Sequence, residues 1–185
     1  MRMHVPTHGQ PTPRGEAMVA ELRWVHGMIR HDLAVIRRLA ADTAAGEPAG
    51  VLRRTVRSLV SASPVWQLKV GCLQHCRFVH SHHSHESYLL FPALREANPA
   101  LNPVVDKLEA EHQRVAQLLD EVEAAAPDLD GPDLDGPDLD GPGGTARDRL
   151  STALATLSTD LLAHLAYEEE QISGTLRTWT RWPGW

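Results

Sequence analysis

The sequence predicts an all-α protein, an up-down-up-down four-helix bundle with a short extra helix between its first and second long helices. Three observations support this fold class. Ala, Leu, Arg and Glu, which favour helix, dominate the long segments, and only 5% of the residues are aromatic. Apolar residues recur at spacings of three and four in four of these segments. Most links between the segments are short, which favours antiparallel neighbours.

The first long helix is predicted from about Glu16 to Ala45, because an apolar stripe fills this segment and the pair Gly46 and Pro48 follows it. A short helix is predicted at about 50–61, in the segment "GVLRRTVRSLVS". This segment is too brief to be a full member of a bundle, so we interpret it as an extra element between the first and second long helices.

The three later long helices each follow a breaker or a capping residue. The second is predicted from Pro64 to about Ala97, with a kink at Pro92 because proline lacks a backbone donor. The third is predicted from Asn102 to about Ala126, since Asn is a good N-cap and Pro103 suits the first helical turn. The fourth is predicted from about Thr145 to Trp179.

The bundle accounts for one domain at residues 16–178, with other segments around and within it. Residues 1–15 lack an apolar stripe and are predicted to be a disordered leader. Residues 127–144 hold three copies of Pro-Asp-Leu-Asp-Gly, and Gly and Pro at every fifth place predict a flexible acidic loop. The repeat lacks the glutamate that ends an EF-hand loop, so calcium is not predicted there. Residues 179–185 form a Trp-rich tail, either folded over the bundle end or loose.

Charge and composition exclude several classes of protein. The net charge is −6, and six Asp of the acidic loop account for it, so no nucleic-acid partner is predicted. No apolar run approaches the roughly 18 residues of a membrane span, so no membrane partner is predicted either. Cys72 and Cys76 lie four apart on one predicted helix, which favours two reduced, packed thiols. Reduced thiols predict a cytoplasmic protein.

A histidine stands on the apolar stripe of every long helix, where leucine or valine would be expected. One such histidine is more often a hydrogen-bonded core residue than a ligand, but one on each of four helices favours a shared site. Two of the histidines are followed four residues later by a glutamate on the same face, about 6 Å further along the axis. Unpaired carboxylates that face a core are costly, so the set predicts bound cations. The set comprises His26, His82, Glu86, His112, His164 and Glu168.

The ligand types restrict the choice of metal. Imidazole and carboxylate without thiolate suit iron, manganese or zinc. Four histidines and two glutamates are too many for one ion. Two ions bridged by Glu86 and Glu168, with two histidines each, would use all six side chains.

Neighbouring residues leave alternatives open. His83 lies three residues before Glu86 and competes with His82 for the inward position; we prefer His82 because the stripe of His83 is more polar. His75 lies on the stripe two turns earlier, either in the core or as an additional ligand, and the same stripe predicts that Leu89 is buried three residues after Glu86. Tyr88 and Tyr167 flank the glutamates in sequence, and either packing or hydrogen bonding to the centre would explain them.

Four segments carry a family resemblance. The sequences "WVHGMIR", "HHSHESYLLFPAL", "LEAEHQRV" and "LLAHLAYEEE" resemble the signature segments of the hemerythrin-like (HHE cation-binding) family, in its bacterial and actinobacterial form. The resemblance implies a four-helix bundle with a non-heme di-iron centre, oxo- or hydroxo-bridged, that handles dioxygen, hydrogen peroxide or nitric oxide. It implies as ligands His26, His82, Glu86, His112, His164 and Glu168. Iron is therefore preferred over zinc or manganese.

The sequence also departs from the oxygen-carrying members that it resembles. Those members have two histidines four apart on the third helix, whereas Leu108 and Ala116 flank His112 here. Without a fifth histidine each iron would keep an open position, so we expect peroxide decomposition of the catalase type. The alternatives are a non-catalytic module that senses or binds oxygen, nitric oxide or iron, and a structural bundle that holds zinc or no metal.

Overall fold

The computed structural model describes residues 9–44, 64–125 and 142–183, and it shows the predicted four-helix bundle. The second long helix is continuous but has three parts, since a π-helical turn joins α2 to α3. The elements are α1 (Pro13–Ala44), α2 (Pro64–His85), the π-helical turn (Glu86–Leu90), α3 (Phe91–Ala97), a 3-10 turn (Pro99–Leu101), α4 (Asn102–Ala125) and α5 (Pro142–Leu176). The predicted short helix at 50–61 and most of the acidic repeat lie outside the described residues.

The described chain divides into two compact units, each with a segment of every long helix. The described part of the first unit comprises residues 9–29, 79–115 and 160–183, and it holds both described ends of the chain. The backbone N–H of Thr12 donates to the carbonyl of Arg177 at 2.8 Å. The amide of Asn98 donates to the hydroxyl of Thr175 at 3.1 Å. The start of α1 and the ends of α3 and α5 therefore meet, as an antiparallel arrangement requires.

Helix α1 begins three residues earlier than predicted, at Pro13, and the reason is a local cap. The Thr12 hydroxyl accepts from the Gly15 backbone N–H at 2.8 Å, and proline at the first helical position loses no hydrogen bond. Gly15 lies against the Arg177 carbonyl, which a Cβ at that position would overlap. Residues 9–15 of the predicted leader are thus part of the packed unit.

The apolar core of the first unit surrounds the end at which α1 begins. Its largest fully buried side chain is Phe91, and the Trp-rich tail covers part of it. Trp179 and Trp182 pack against the core, and the indole N–H of Trp182 donates to Glu21 at 2.6 Å. The described part of the tail is therefore folded onto the bundle end.

The π-helical turn changes which side chains of the second long helix face inward. The sequence pattern placed Leu89 on the buried stripe, but Leu89 is 46% exposed and Leu90 is only 4% exposed. The backbone N–H of Phe91 bonds five residues back, to Glu86, and so adds one residue to this turn. Pro92 follows at once, and its missing N–H and bulky ring would disrupt an α-helical turn here. The proline widens the helix just ahead of it.

The described part of the second unit comprises residues 30–44, 64–78, 116–125 and 142–159. Cys72 and Cys76 are buried and unbridged, and the Cys76 thiol contacts the carbonyl of Leu119 at 3.8 Å. Burial raises the pKa of each thiol to about 12. Helix α5 begins at Pro142 and ends at Leu176, three residues before the predicted boundary at each end. Within the described ranges, no helix is long and apolar enough to cross a membrane.

Candidate metal centre

Seven histidine and glutamate side chains converge inside the first unit, in two groups. The two-histidine cluster comprises His26, His82, Glu86 and Glu168. The three-histidine cluster comprises His83, His112 and His164. Within each cluster every residue offers one nitrogen or oxygen atom, and these atoms lie within 4.8 Å of one another. All six residues singled out in the sequence are therefore brought together, and His83 joins them.

Histidine pairs from different helices form the ends of the centre. The Nε2 atoms of His26 on α1 and His82 on α2 lie 3.1 Å apart. The Nε2 atoms of His112 on α4 and His164 on α5 also lie 3.1 Å apart. A hydrogen bond between the two rings, or a cation between them, accounts for such a distance, so each pair offers one candidate cation position.

The two carboxylates lie between these histidine pairs. One oxygen of Glu86 is 3.2 Å from His82 Nε2, and its other oxygen is 3.6 Å from His112 Nε2. Glu168 Oε2 is 3.4 Å from His26 Nε2 and 3.8 Å from His164 Nε2. Each carboxylate therefore reaches both clusters, as a bridging ligand does.

The carboxylates lack ordinary partners, and this tests whether the residues fit a metal. Apart from the contact between the two carboxyl groups themselves, no described group hydrogen-bonds to an oxygen of Glu86 or Glu168, although Glu168 is completely buried. Burial, together with the charge of Glu168, raises the pKa of Glu86 well above its usual range. Burial raises the pKa of Glu168 to about 8. An ionised carboxylate in such a place needs a cation, so the donor set fits bound metal.

Four of the histidines, His82, His83, His112 and His164, are held in their neutral form, which is the form that binds metals. Burial, reinforced by neighbouring histidines, lowers the pKa of His82 to about 3 and that of His112 to about 2. Burial also lowers the pKa of His83 and of His164. At neutral pH these rings therefore carry a lone pair and no net charge.

Hydrogen bonds to residues outside the two clusters orient three of the imidazole rings. The Nδ1 atom of His26 lies 2.8 Å from a carboxylate oxygen of Glu169. The Nδ1 atom of His164 lies 3.0 Å from a carboxylate oxygen of Glu111. An Nδ1–H that donates to a carboxylate leaves Nε2 free and fixes the ring plane. In the same way His112 Nδ1 lies 2.9 Å from the Ser87 hydroxyl.

The sequence did not single out Glu111 or Glu169, although a signal exists for both. Each directly adjoins a candidate ligand, Glu111 before His112 and Glu169 after Glu168. A residue beside the inward stripe points along the groove between two helices, from where a carboxylate reaches the histidine of the next helix. Periodicity alone marks these glutamates as ordinary half-exposed residues.

The structure answers the choice between His82 and His83 in an unexpected way, because both rings turn inward. His83 is 6% exposed, and its ring stacks on that of His112 at 4.0 Å between centroids. The expectation that one of them faces away is wrong. The stripe of the second helix passes between the two residues, so His82 reaches towards α1 and His83 towards α4.

The other candidates of the sequence lie outside both clusters. His75 is buried in the second unit. Tyr88 is 80% exposed, so it does not contact the centre. Tyr167 packs against the apolar core, with the ammonium of Lys107 3.3 Å from its ring centroid. Packing is thus the observed role of Tyr167.

Comparison with known proteins gives one family. The family model described as "Hemerythrin HHE cation binding domain" matches residues 17–176, which include every member of the two clusters. Neither the curated proteins nor the solved structures contain a significant match to the chain. The match agrees with the donor set in pointing to a bound cation.

Proposed function

Because the chain belongs to the hemerythrin HHE cation-binding domain family, we propose that it holds two iron ions and reacts with hydrogen peroxide or dioxygen. The observation that carries the proposal is the pair of donor clusters, with two buried carboxylates between them that have no hydrogen-bond partner among the described residues other than each other. The ligands we propose are His26, His82, Glu86, His112, His164 and Glu168.

The geometry supports two ion positions with two of these histidines each and the two glutamates between them. His26 and His82 would hold one ion, while His112 and His164 would hold the other. The glutamates between them would bind both ions and cancel part of their charge. Two adjacent iron ions supply electrons and free coordination positions, which is the chemistry that the binding or reduction of dioxygen and peroxide requires.

A pocket beside the two-histidine cluster supports a small ligand. It has a volume of about 260 Å³, and His82 and Glu86 lie in its wall. Leu22, Leu90 and Trp182 make much of the remaining wall apolar. Such walls admit a small neutral molecule such as peroxide, dioxygen or nitric oxide, and they disfavour charged metabolites.

Two activities are compatible with this centre, and different observations favour them. The two carboxylates that each reach both clusters, and so could bridge two ions, favour peroxide decomposition, in which two molecules of hydrogen peroxide give two of water and one of dioxygen. The burial of His83 beside His112 and His164 favours the second candidate, a non-catalytic module that binds or senses oxygen, nitric oxide or iron. A third nitrogen donor would leave less room for an incoming ligand on that side.

Metal analysis and two functional assays test the proposal. We expect two iron ions per chain, charge-transfer absorption in the near ultraviolet and no heme Soret band. Steady oxygen release from added peroxide would establish the catalytic candidate. Repeated return to the reduced spectrum after oxygen is admitted and then removed would establish the binding candidate. Purified protein with zinc, or with no metal, after expression in iron-rich medium would refute both.

We also propose that the protein resides in the cytoplasm. The support is chemical: Cys72 and Cys76 are both unbridged, and free thiols persist in a reducing compartment. Export to an oxidising compartment, detected by fractionation of the native host, would contradict this location.

A further inference from the structure

We infer that His83 is a third imidazole ligand of the ion held by His112 and His164, so that the two ion positions are unequal. This inference rests on the proposed di-iron centre and deepens it. The first observation is burial without a partner. His83 Nε2 is buried, and no described group hydrogen-bonds to it. A buried polar atom without a partner costs about 1–3 kcal/mol, so a structural histidine would normally have one.

The second observation is the position of the ring. The ring centroid of His83 lies 4.0 Å from that of His112 and 5.1 Å from that of His164. A nitrogen of His83 also lies within 4.8 Å of the nitrogen donors of both residues. Three neutral imidazoles with donors this close share the position that one ion would take.

The third observation explains how adjacent residues serve two clusters. His82 packs edge-on against His26 of α1 at 5.0 Å between ring centroids, whereas His83 stacks on His112 of α4. Glu86 follows one turn later, with one oxygen towards His82 and the other towards His112. The second long helix therefore presents three donors within five residues. His82 belongs to one cluster, His83 belongs to the other, and Glu86 lies near histidines of both.

Metal affinity tests the role of His83 separately from activity. We would load wild type, His83→Ala and His83→Gln with iron, and then measure the iron retained against increasing chelator. The expected result is one ion held as in wild type and the second weakened by at least the roughly 10–100-fold typical of a lost outer partner. The exposed His31 provides the control, as His31→Ala should retain both ions at wild-type affinity.

The possible outcomes distinguish a failure of the His83 assignment from a failure of the di-iron proposal. Two ions at wild-type affinity in both His83 variants would overturn the inference and leave the di-iron centre intact. No iron in wild type would overturn the di-iron centre itself. If neither variant folds, cobalt-substituted wild type decides the matter by proton NMR. Five hyperfine-shifted, exchangeable imidazole N–H resonances would support His83 as a ligand, and four would exclude it.

Discussion

Removal of the metal is expected to destabilise the fold by an amount that follows from the buried carboxylates. Glu86 and Glu168 are at most 4% exposed, and apart from each other their carboxyl groups have no hydrogen-bond partner among the described groups. Each unpaired buried group costs about 1–3 kcal/mol, so the two together cost about 2–6 kcal/mol. For a domain of this size, about 2–4 °C per kcal/mol gives a fall in Tm of about 4–24 °C.

The assay is thermal unfolding of iron-loaded and chelator-stripped protein, with Glu168→Gln as the matched variant. Glutamine has nearly the shape of glutamate but needs no proton to be buried without charge, whereas the raised pKa of Glu168 means that stripped wild type must take one up on folding at neutral pH. The stripped variant should therefore be more stable than stripped wild type. The same variant should lose iron. A stripped wild type that melts within about 2 °C of the loaded form would refute the reasoning. So would a stripped Glu168→Gln that is no more stable than stripped wild type.

Three further predictions use other parts of the structure. His82→Ala should lose iron by metal analysis while the exposed His31→Ala keeps it, and an iron-replete His82→Ala would remove His82 from the ligand set. Glu111→Gln should weaken iron binding by about 10–100-fold in chelator competition, since it weakens the hydrogen bond that orients a ligand histidine, and unchanged affinity would assign Glu111 to the surface alone. Burial raises the thiol pKa of Cys72 and Cys76 from 9.0 to about 12, so the unfolded chain ionises first as pH rises. The free energy of unfolding should therefore fall above pH 9 by up to about 1.4 kcal/mol per pH unit for each thiol, and denaturant titrations of the double alanine variant should lack this slope.

The sequence predicted the bundle because helical periodicity is a local signal that four segments repeat. The same signal brought out the six proposed ligands, since a histidine or glutamate on an apolar stripe conflicts with its neighbours. It could not predict that both His82 and His83 face inward. An apolar stripe is defined from the sequence of one helix alone. Which side chains face inward at a given position along the bundle also depends on where the adjacent helices lie.

The register after Glu86 shows a second limit of periodicity. A spacing of 3.6 residues per turn placed Leu89 in the core, and this holds only while every turn is α-helical. Pro92 was recognised as a disruption, but its effect appears upstream of it, as a wider turn that buries Leu90 instead. Glu169 was missed because its partner, His26, is on another helix, and periodicity within one helix does not show contacts between helices.

The π-helical turn has a consequence for the length of the chain here, as distinct from its composition. Tyr88 and Leu89 point outward, so substitution of either should be tolerated. Deletion of either should also leave both faces in place, because the hydrogen bond from the Phe91 N–H to the Glu86 carbonyl would then span four residues, as in an ordinary α-helical turn. The cost would fall on Pro92, whose ring would then meet an α-helical turn instead of a wider one. The extra residue thus accommodates the proline while the proposed ligand Glu86 and the core residue Phe91 both face inward.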